Sequence, residues 1–102
     1  MTRLDKLRQL ADAEPGDPLA HYGIGLECMN LERWDEALSA FEHTLKIDPY
    51  YTAALFQKAR TELKLGRRAD AAATLRAGIA QASAKGEAHA ADEMRRLLEA
   101  VA

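Results

Sequence analysis

The stretch from Pro15 to Lys46 repeats itself 34 residues later, and no gap is needed to align the two copies. Pro15 falls on Pro49, Ala20 on Ala54, Gly25 on Ala59, Leu31 on Leu65 and Arg33 on Arg67. Ala37 falls on Ala71, Phe41 on Leu75 and Leu45 on Ile79, so small residues match small ones and large apolar residues match large ones. A fixed period of this length is the mark of stacked supersecondary units, none of which can bury its apolar face alone. Such units seldom carry chemistry; they build a surface on which something else binds.

Composition narrows the fold class. The chain has 102 residues, the length of one domain, and 48% of them are apolar, with Ala and Leu supplying most. Strand formers are scarce, which predicts helices. Charged residues make up 29% and the net charge is -2, so the basic excess of a nucleic-acid-binding protein is missing. Cys28 is the only cysteine, so no intrachain disulfide forms, and this fits a reducing cytoplasm. The charged start, Met1-Thr2-Arg3-Leu4-Asp5-Lys6, lacks the apolar centre of a signal peptide. No apolar run approaches the length that spans a bilayer. The ends at Met1 and Ala102 suit a whole small protein and equally a piece of a longer array.

Local signals predict six helices. Thr2 caps the first, with Asp5 placed for a capping box, and Leu4, Leu7, Leu10 and Ala11 form its apolar stripe. Pro15 and Gly16 break it, Asp17 caps the second helix, and Pro18 takes its first position. Helix two runs from about Pro18 to Leu31 with apolar residues on more than one face, and Gly23 and Gly25 imply close approach of a neighbour. Helix three runs from about Arg33 to Ile47 and ends at Asp48-Pro49. Helix four runs from about Thr52 to Leu65, with Gly66 as its C-terminal cap. Helix five runs from about Arg68 to Ala84, Gly86 interrupts, and helix six runs from Glu87 to Val101. Connections of a few residues make successive helices antiparallel neighbours, a row of helical hairpins.

With these residues in place, Pro18 to Pro49 resembles a tetratricopeptide repeat. Gly25 stands at the small position midway along the first helix, Trp34 and Ala37 at the aromatic and small positions opening the second, Phe41 one turn later, and Pro49 at the close. Thr52 to about Ala84 resembles a second copy through Ala59, Ala71 and Leu75, while Lys58 and Glu62 replace a leucine and an aromatic and Ser83 replaces the closing proline. The resemblance implies an all-α fold, a short right-handed solenoid of antiparallel hairpins. It divides a single domain, 1–102, into a half-repeat helix (1–17), repeat one (18–51), repeat two (52–85) and a capping helix (86–102). It also implies protein or peptide binding and no catalysis.

In this family the first helix of each hairpin lines the concave face. Carried over by position, that face presents Leu19, Tyr22, Leu26, Met29 and Asn30, then Ala53, Phe56, Arg60, Leu63 and Lys64. This surface suits an amphipathic helix or an extended peptide with apolar anchors. The alternatives are that helix one or helix six lies across it, or that its residues pack within the domain. A lysine–asparagine carboxylate clamp is not implied, because Tyr22 and Leu26 occupy its first two places. Charge is uneven: Lys58, Arg60, Lys64, Arg67 and Arg68 make the second hairpin basic, and Glu27, Glu32, Asp35, Glu36, Glu42 and Asp48 make the first acidic. Arg60 and Lys64 could hold an acidic group; the simpler expectation is a solvated face with Lys58–Glu62 as an ordinary i,i+4 pair.

His21, Cys28 and His43 lack the paired spacing of a metal site. No phosphate loop or nucleophile elbow is present. The reading is therefore a non-catalytic interaction module with no cofactor, no metal, no nucleic-acid partner and no membrane span, and with a protein or peptide ligand. A self-assembling homodimer is the alternative, and a metal- or cysteine-dependent enzyme a remote one.

Overall fold

The computed structural model describes residues 1–101, and six α-helices follow one another: α1 (Arg3–Ala13), α2 (Pro18–Asn30), α3 (Trp34–Ile47), α4 (Thr52–Lys64), α5 (Arg68–Ala84) and α6 (Ala88–Val101). The all-α row of sequential hairpins expected from the repeat is the fold observed. The chain divides into two compact units, Met1–Tyr51 with α1 to α3 and a second from Thr52 onward with α4 to α6.

In the first unit, Thr2 and Asp5 form the expected capping box: each side chain accepts the other's backbone N–H at 3.1 Å. α1 packs along α2 and buries Leu4 and Ala11. Leu10 departs from the predicted stripe and is 59% exposed, because one neighbouring helix covers a strip too narrow to include it. Asp17 caps α2 through Leu19 N–H at 2.9 Å, with Pro18 next. α2 and α3 meet where Gly25 lies against the Phe41 ring; a Cβ there would overlap the ring, so the glycine is a packing requirement. Leu4, Cys28, Ala37 and Phe41 form the core, and Tyr22, Ile24, Leu26 and Met29 pack against it.

In the second unit the core is Ala59, Leu75, Ala82, Ala91 and Met94, closed by Phe56, Ile79, Leu97, Leu98 and Val101. α6 approaches α5 closely enough that a Cβ on Gly78 would lie 2.5 Å from Met94 Sδ. The pair Lys58–Glu62 corrects the expectation of a solvated face. Lys58 Nζ donates to Glu62 Oε2 at 3.2 Å and to Thr74 Oγ1 at 3.2 Å, and the Thr74 hydroxyl donates to Glu62 Oε1 at 2.7 Å. The Glu62 side chain is 5% exposed. The triad joins α4 to α5, with Lys58 and Glu62 at the positions where the repeat prefers a leucine and an aromatic.

Three helices end alike. Backbone N–H groups of Arg33, Arg67 and Glu87 donate to the carbonyls of Cys28, Glu62 and Ala82, each at 2.8 Å, five residues back. The residue before each donor is left-handed: Glu32 at φ 57°, Gly66 at 76° and Gly86 at 74°. This is the Schellman ending. α1 and α3 end instead at proline-containing connections, Glu14 to Asp17 and Asp48 to Tyr51. α5 thus turns into α6 by the glycine route, which is where the 34-residue period stops.

Candidate functional site

Residues 19, 22, 26, 29 and 30 recur at helical spacing, so α2 carries them on one side. Leu19 is 62% exposed and Asn30 is exposed, while Tyr22, Leu26 and Met29 are half-buried. Tyr22, Leu26 and Met29 also pack on the first unit's core, so one edge of each serves packing and the other meets solvent. Tyr22 stands 5.9 Å from the Phe41 ring and 5.1 Å from the Tyr51 ring, centroid to centroid. Tyr51 follows Asp48 and Pro49 in the connection after α3, where Tyr51 N–H donates to the Asp48 carbonyl at 3.2 Å and Asp48 Oδ1 accepts Tyr50 N–H at 3.0 Å. Burial raises the Tyr51 phenol above its ordinary pKa, and Tyr22, Asp17 and Asp48 push it the same way.

On α4, Phe56, Arg60 and Leu63 share one side by the same spacing. Phe56 and Leu63 are half-buried, and Ala53, Arg60 and Lys64 are exposed. The Arg60 guanidinium lies 5.9 Å from the Phe56 ring centroid, within cation–π range, and donates to Gln57 Oε1 at 3.1 Å.

The first unit also holds a pairing that the sequence did not signal. The His21 and His43 rings stack 4.0 Å apart across α2 and α3. They border a shallow cleft of about 280 Å³ with Arg8, Cys28, Glu36 and Ser39. His21 Nε2 lies 3.3 Å from the Pro15 carbonyl. Burial, the His21 charge and Lys46 hold His43 below the usual histidine pKa. Burial raises the Cys28 thiol, aided by Glu36, so a thiolate is disfavoured. The spacing of 22 residues between the two histidines follows no local period, and only the α2–α3 register joins them. Among the described residues no group of three His, Cys, Asp or Glu side chains is placed to hold a metal ion. No helix among them is long and apolar enough to cross a membrane. A second cleft, about 440 Å³, lies beside Arg3, Leu4, Arg8, Glu27, Leu31 and Arg33, with Arg3 Nε paired to Glu27 at 3.1 Å.

Solved structures share this fold. The type III secretion translocator chaperone SycD of Yersinia enterocolitica superposes with a TM-score of 0.91 at 19% identity, covering 96% of this chain and 68% of that one. PcrH, in complex with the chaperone-binding region of PopD, gives 0.91 at 22% identity, with 96% and 74% covered. The TPR2B domain of yeast Sti1, in complex with pHsp70, gives 0.90 at 19% identity, with 94% and 77% covered. No curated protein matches the sequence. A tetratricopeptide repeat model matches residues 29–97, more than half of the chain. Together with the 34-residue period and the Gly25–Phe41 contact, that match makes this chain a member of the tetratricopeptide repeat family, whose fold is typical of non-catalytic binding modules.

Proposed function

We propose that the chain is a non-catalytic interaction module that captures a peptide or helix of a partner protein. The observation that carries this reading is the α2 face: Leu19 is held 62% exposed beside Tyr22, Leu26 and Met29, an apolar row with Asn30 at its end. Solvent-facing apolar rows on helices serve as docking surfaces for amphipathic partners. α4 offers a second face, with Phe56 and Leu63 apolar and Arg60 and Lys64 polar. The complexes of PcrH with a PopD region and of Sti1 TPR2B with pHsp70 support a peptide-binding use of this fold. α6, sealing Ala91 and Met94 against the second unit's core, serves as the capping helix.

The test is affinity capture from the source cell, with Leu19→Ser and Arg60→Ser as separate and combined variants. Both side chains are exposed, so their loss leaves the cores intact. A partner held by the parent and lost by the double variant supports the module; equal capture by both proteins rules these faces out. Self-association is the second reading, favoured by two further exposed leucines, Leu10 and Leu31, 59% and 48% exposed. Sedimentation over a concentration series decides it, since a strict monomer at high concentration removes it.

A further inference from the structure

The first unit is strongly acidic, with ten carboxylates against five cationic side chains, whereas the second has six against nine. The acidity meets apolar surface at one end of the unit's α2–α3 hairpin. Where α2 begins and α3 ends, the charges of Asp17 and Asp48 act on Tyr51, whose ring lies 5.1 Å from that of Tyr22. Leu19 and Tyr50, 62% and 58% exposed, stand beside the same carboxylates: Asp17 Oδ1 accepts Leu19 N–H at 2.9 Å and Asp48 Oδ1 accepts Tyr50 N–H at 3.0 Å. Those hydrogen bonds hold both carboxylates in the half-buried turns. Tyrosine faces attract cations through their quadrupole, and a carboxylate next to them adds to the attraction.

We infer that this end of the first unit, formed by Asp17, Leu19, Tyr22, Asp48, Tyr50 and Tyr51, binds a basic segment of a partner protein. An apolar side chain of that segment lies on Leu19, and a lysine or arginine sits against the tyrosines and the two carboxylates. The raised Tyr51 phenol reports the same field, since Asp17 and Asp48 both contribute to it after burial and Tyr22. A second copy of this chain is the weaker occupant, because several of its cations already bond within the chain. Lys58 bonds Glu62, Arg60 bonds Gln57, Arg68 bonds the Val101 carbonyl at 2.9 Å, Lys85 bonds Thr52 and Arg95 bonds Asp92. The inference rests on the interaction-module reading and names the chemistry of its ligand.

The experiment uses two labelled amphipathic peptides with identical leucine positions, one carrying lysine and the other glutamate at every polar position, and reads anisotropy against the full chain. The lysine peptide binds and the glutamate peptide does not. Asp17→Asn with Asp48→Asn keeps both oxygen acceptors and removes both charges, and it weakens the lysine peptide by roughly fivefold, the scale of two partly exposed ion pairs. Glu32→Gln with Asp35→Asn removes the same charge at the opposite ends of α2 and α3 and leaves binding within about twofold. Equal losses in the two double variants mean diffuse charge attraction and overturn the site, as does failure of the lysine peptide to bind. Concentration-dependent sedimentation of the parent, abolished in the Asp17/Asp48 variant, makes a second copy the occupant and also overturns the inference. Capture of a partner lost with Leu19→Ser and Arg60→Ser, alongside a silent lysine peptide, leaves the module reading standing and removes this one alone.

Discussion

The two units solve one packing problem with different side chains. At the position where α2 and α3 of the first unit cross, Gly25 makes room for Phe41. Thirty-four residues on, Ala59 and Leu75 fill the matching places, both fully buried. One methyl is gained on one helix and a ring is reduced to a branched chain on the other, so the sum is roughly kept. The contrast is sharper one turn away. Ile24, Cys28 and Ala40 correspond to Lys58, Glu62 and Thr74. The first unit leaves these places apolar or nearly so, and the second fills them with a hydrogen-bonded ion pair. The family pattern tolerates both because what it constrains is volume and satisfied polarity between paired helices, not side-chain identity.

The largest expected effect breaks that triad. Glu62→Ala leaves the Lys58 ammonium and the Thr74 hydroxyl without their acceptor, and it destabilises the second unit by about 3 kcal/mol. Importing the first unit's set, Lys58→Ile with Glu62→Cys and Thr74→Ala, costs much less than Glu62→Ala, since it removes the pair whole and leaves no uncompensated charge, and what it does cost comes from the smaller side chains. Urea titration followed by circular dichroism checks both, and Trp34 fluorescence reports the first unit separately, because Trp34 is the only tryptophan. Loss of stability in the apolar triple variant as large as in Glu62→Ala would contradict the equivalence of the two solutions. Next in size is the Gly25–Phe41 contact. Gly25→Ala costs about 2 kcal/mol by overpacking. Phe41→Leu, which copies Leu75, relieves the overlap, so the double variant falls short of the sum by about 1 kcal/mol. Strict additivity would mean that the ring moves aside freely.

The comparison also shows what was legible in the sequence. Helix ends were readable because their chemistry is local: Thr2 with Asp5, Asp17 with Pro18, and Gly66 each act within a few residues. A close approach at Gly25 was readable because the repeat pattern keeps that position small, and the fold adds that the Phe41 ring fills the space. Leu10 was misplaced because a helical stripe shows which residues share a face and not how much of that face a neighbour covers. The Lys58–Glu62 pair fitted a solvated i,i+4 pattern equally well, and only Thr74, on the facing helix, makes it internal. His21 with His43, and Tyr51 with Tyr22, depend on the α2–α3 register and on the path of the chain after Pro49, which no local period encodes. The residues proposed for a binding face were placed by family position, and the structure adds their exposure: Leu19, Asn30, Arg60 and Lys64 outside, Tyr22, Leu26, Met29, Phe56 and Leu63 shared with the cores or half-covered.

Smaller effects sharpen the comparison at the turns. Glu32 takes the left-handed conformation that Gly66 takes in the second unit, at φ 57° against 76°. A side chain there is strained by roughly 1 kcal/mol, partly offset by the extra chain entropy that a glycine loses on folding. Glu32→Gly therefore stabilises the first unit by about 0.5 kcal/mol, and Gly66→Glu destabilises the second by a similar amount. Opposite signs at equivalent turns are the expected outcome, read from paired urea midpoints. The same sign for both would show that the Glu32 side chain, and not its backbone, sets the energy of that turn.

The smallest effect is a pH dependence that belongs to the first unit. His21 and His43 correspond to Leu55 and Ala77 in the second, so the stacked pair has no counterpart there. Burial, then the charges of His21 and Lys46, hold His43 below the usual histidine value of 6.5. Between that lowered value and 6.5 the unfolded chain binds more protons than the folded one, so stability rises with pH across the interval. The contribution is complete above 6.5 and is lost as the pH falls through the folded value. His43 is an exposed residue, and solvent screening keeps the change small. His43→Ala, which copies Ala77, flattens the slope of the Trp34-monitored urea midpoint between about pH 7 and about pH 5. A slope unchanged by that substitution would mean that His43 does not carry the pH dependence and would leave the stacked histidines as packing alone.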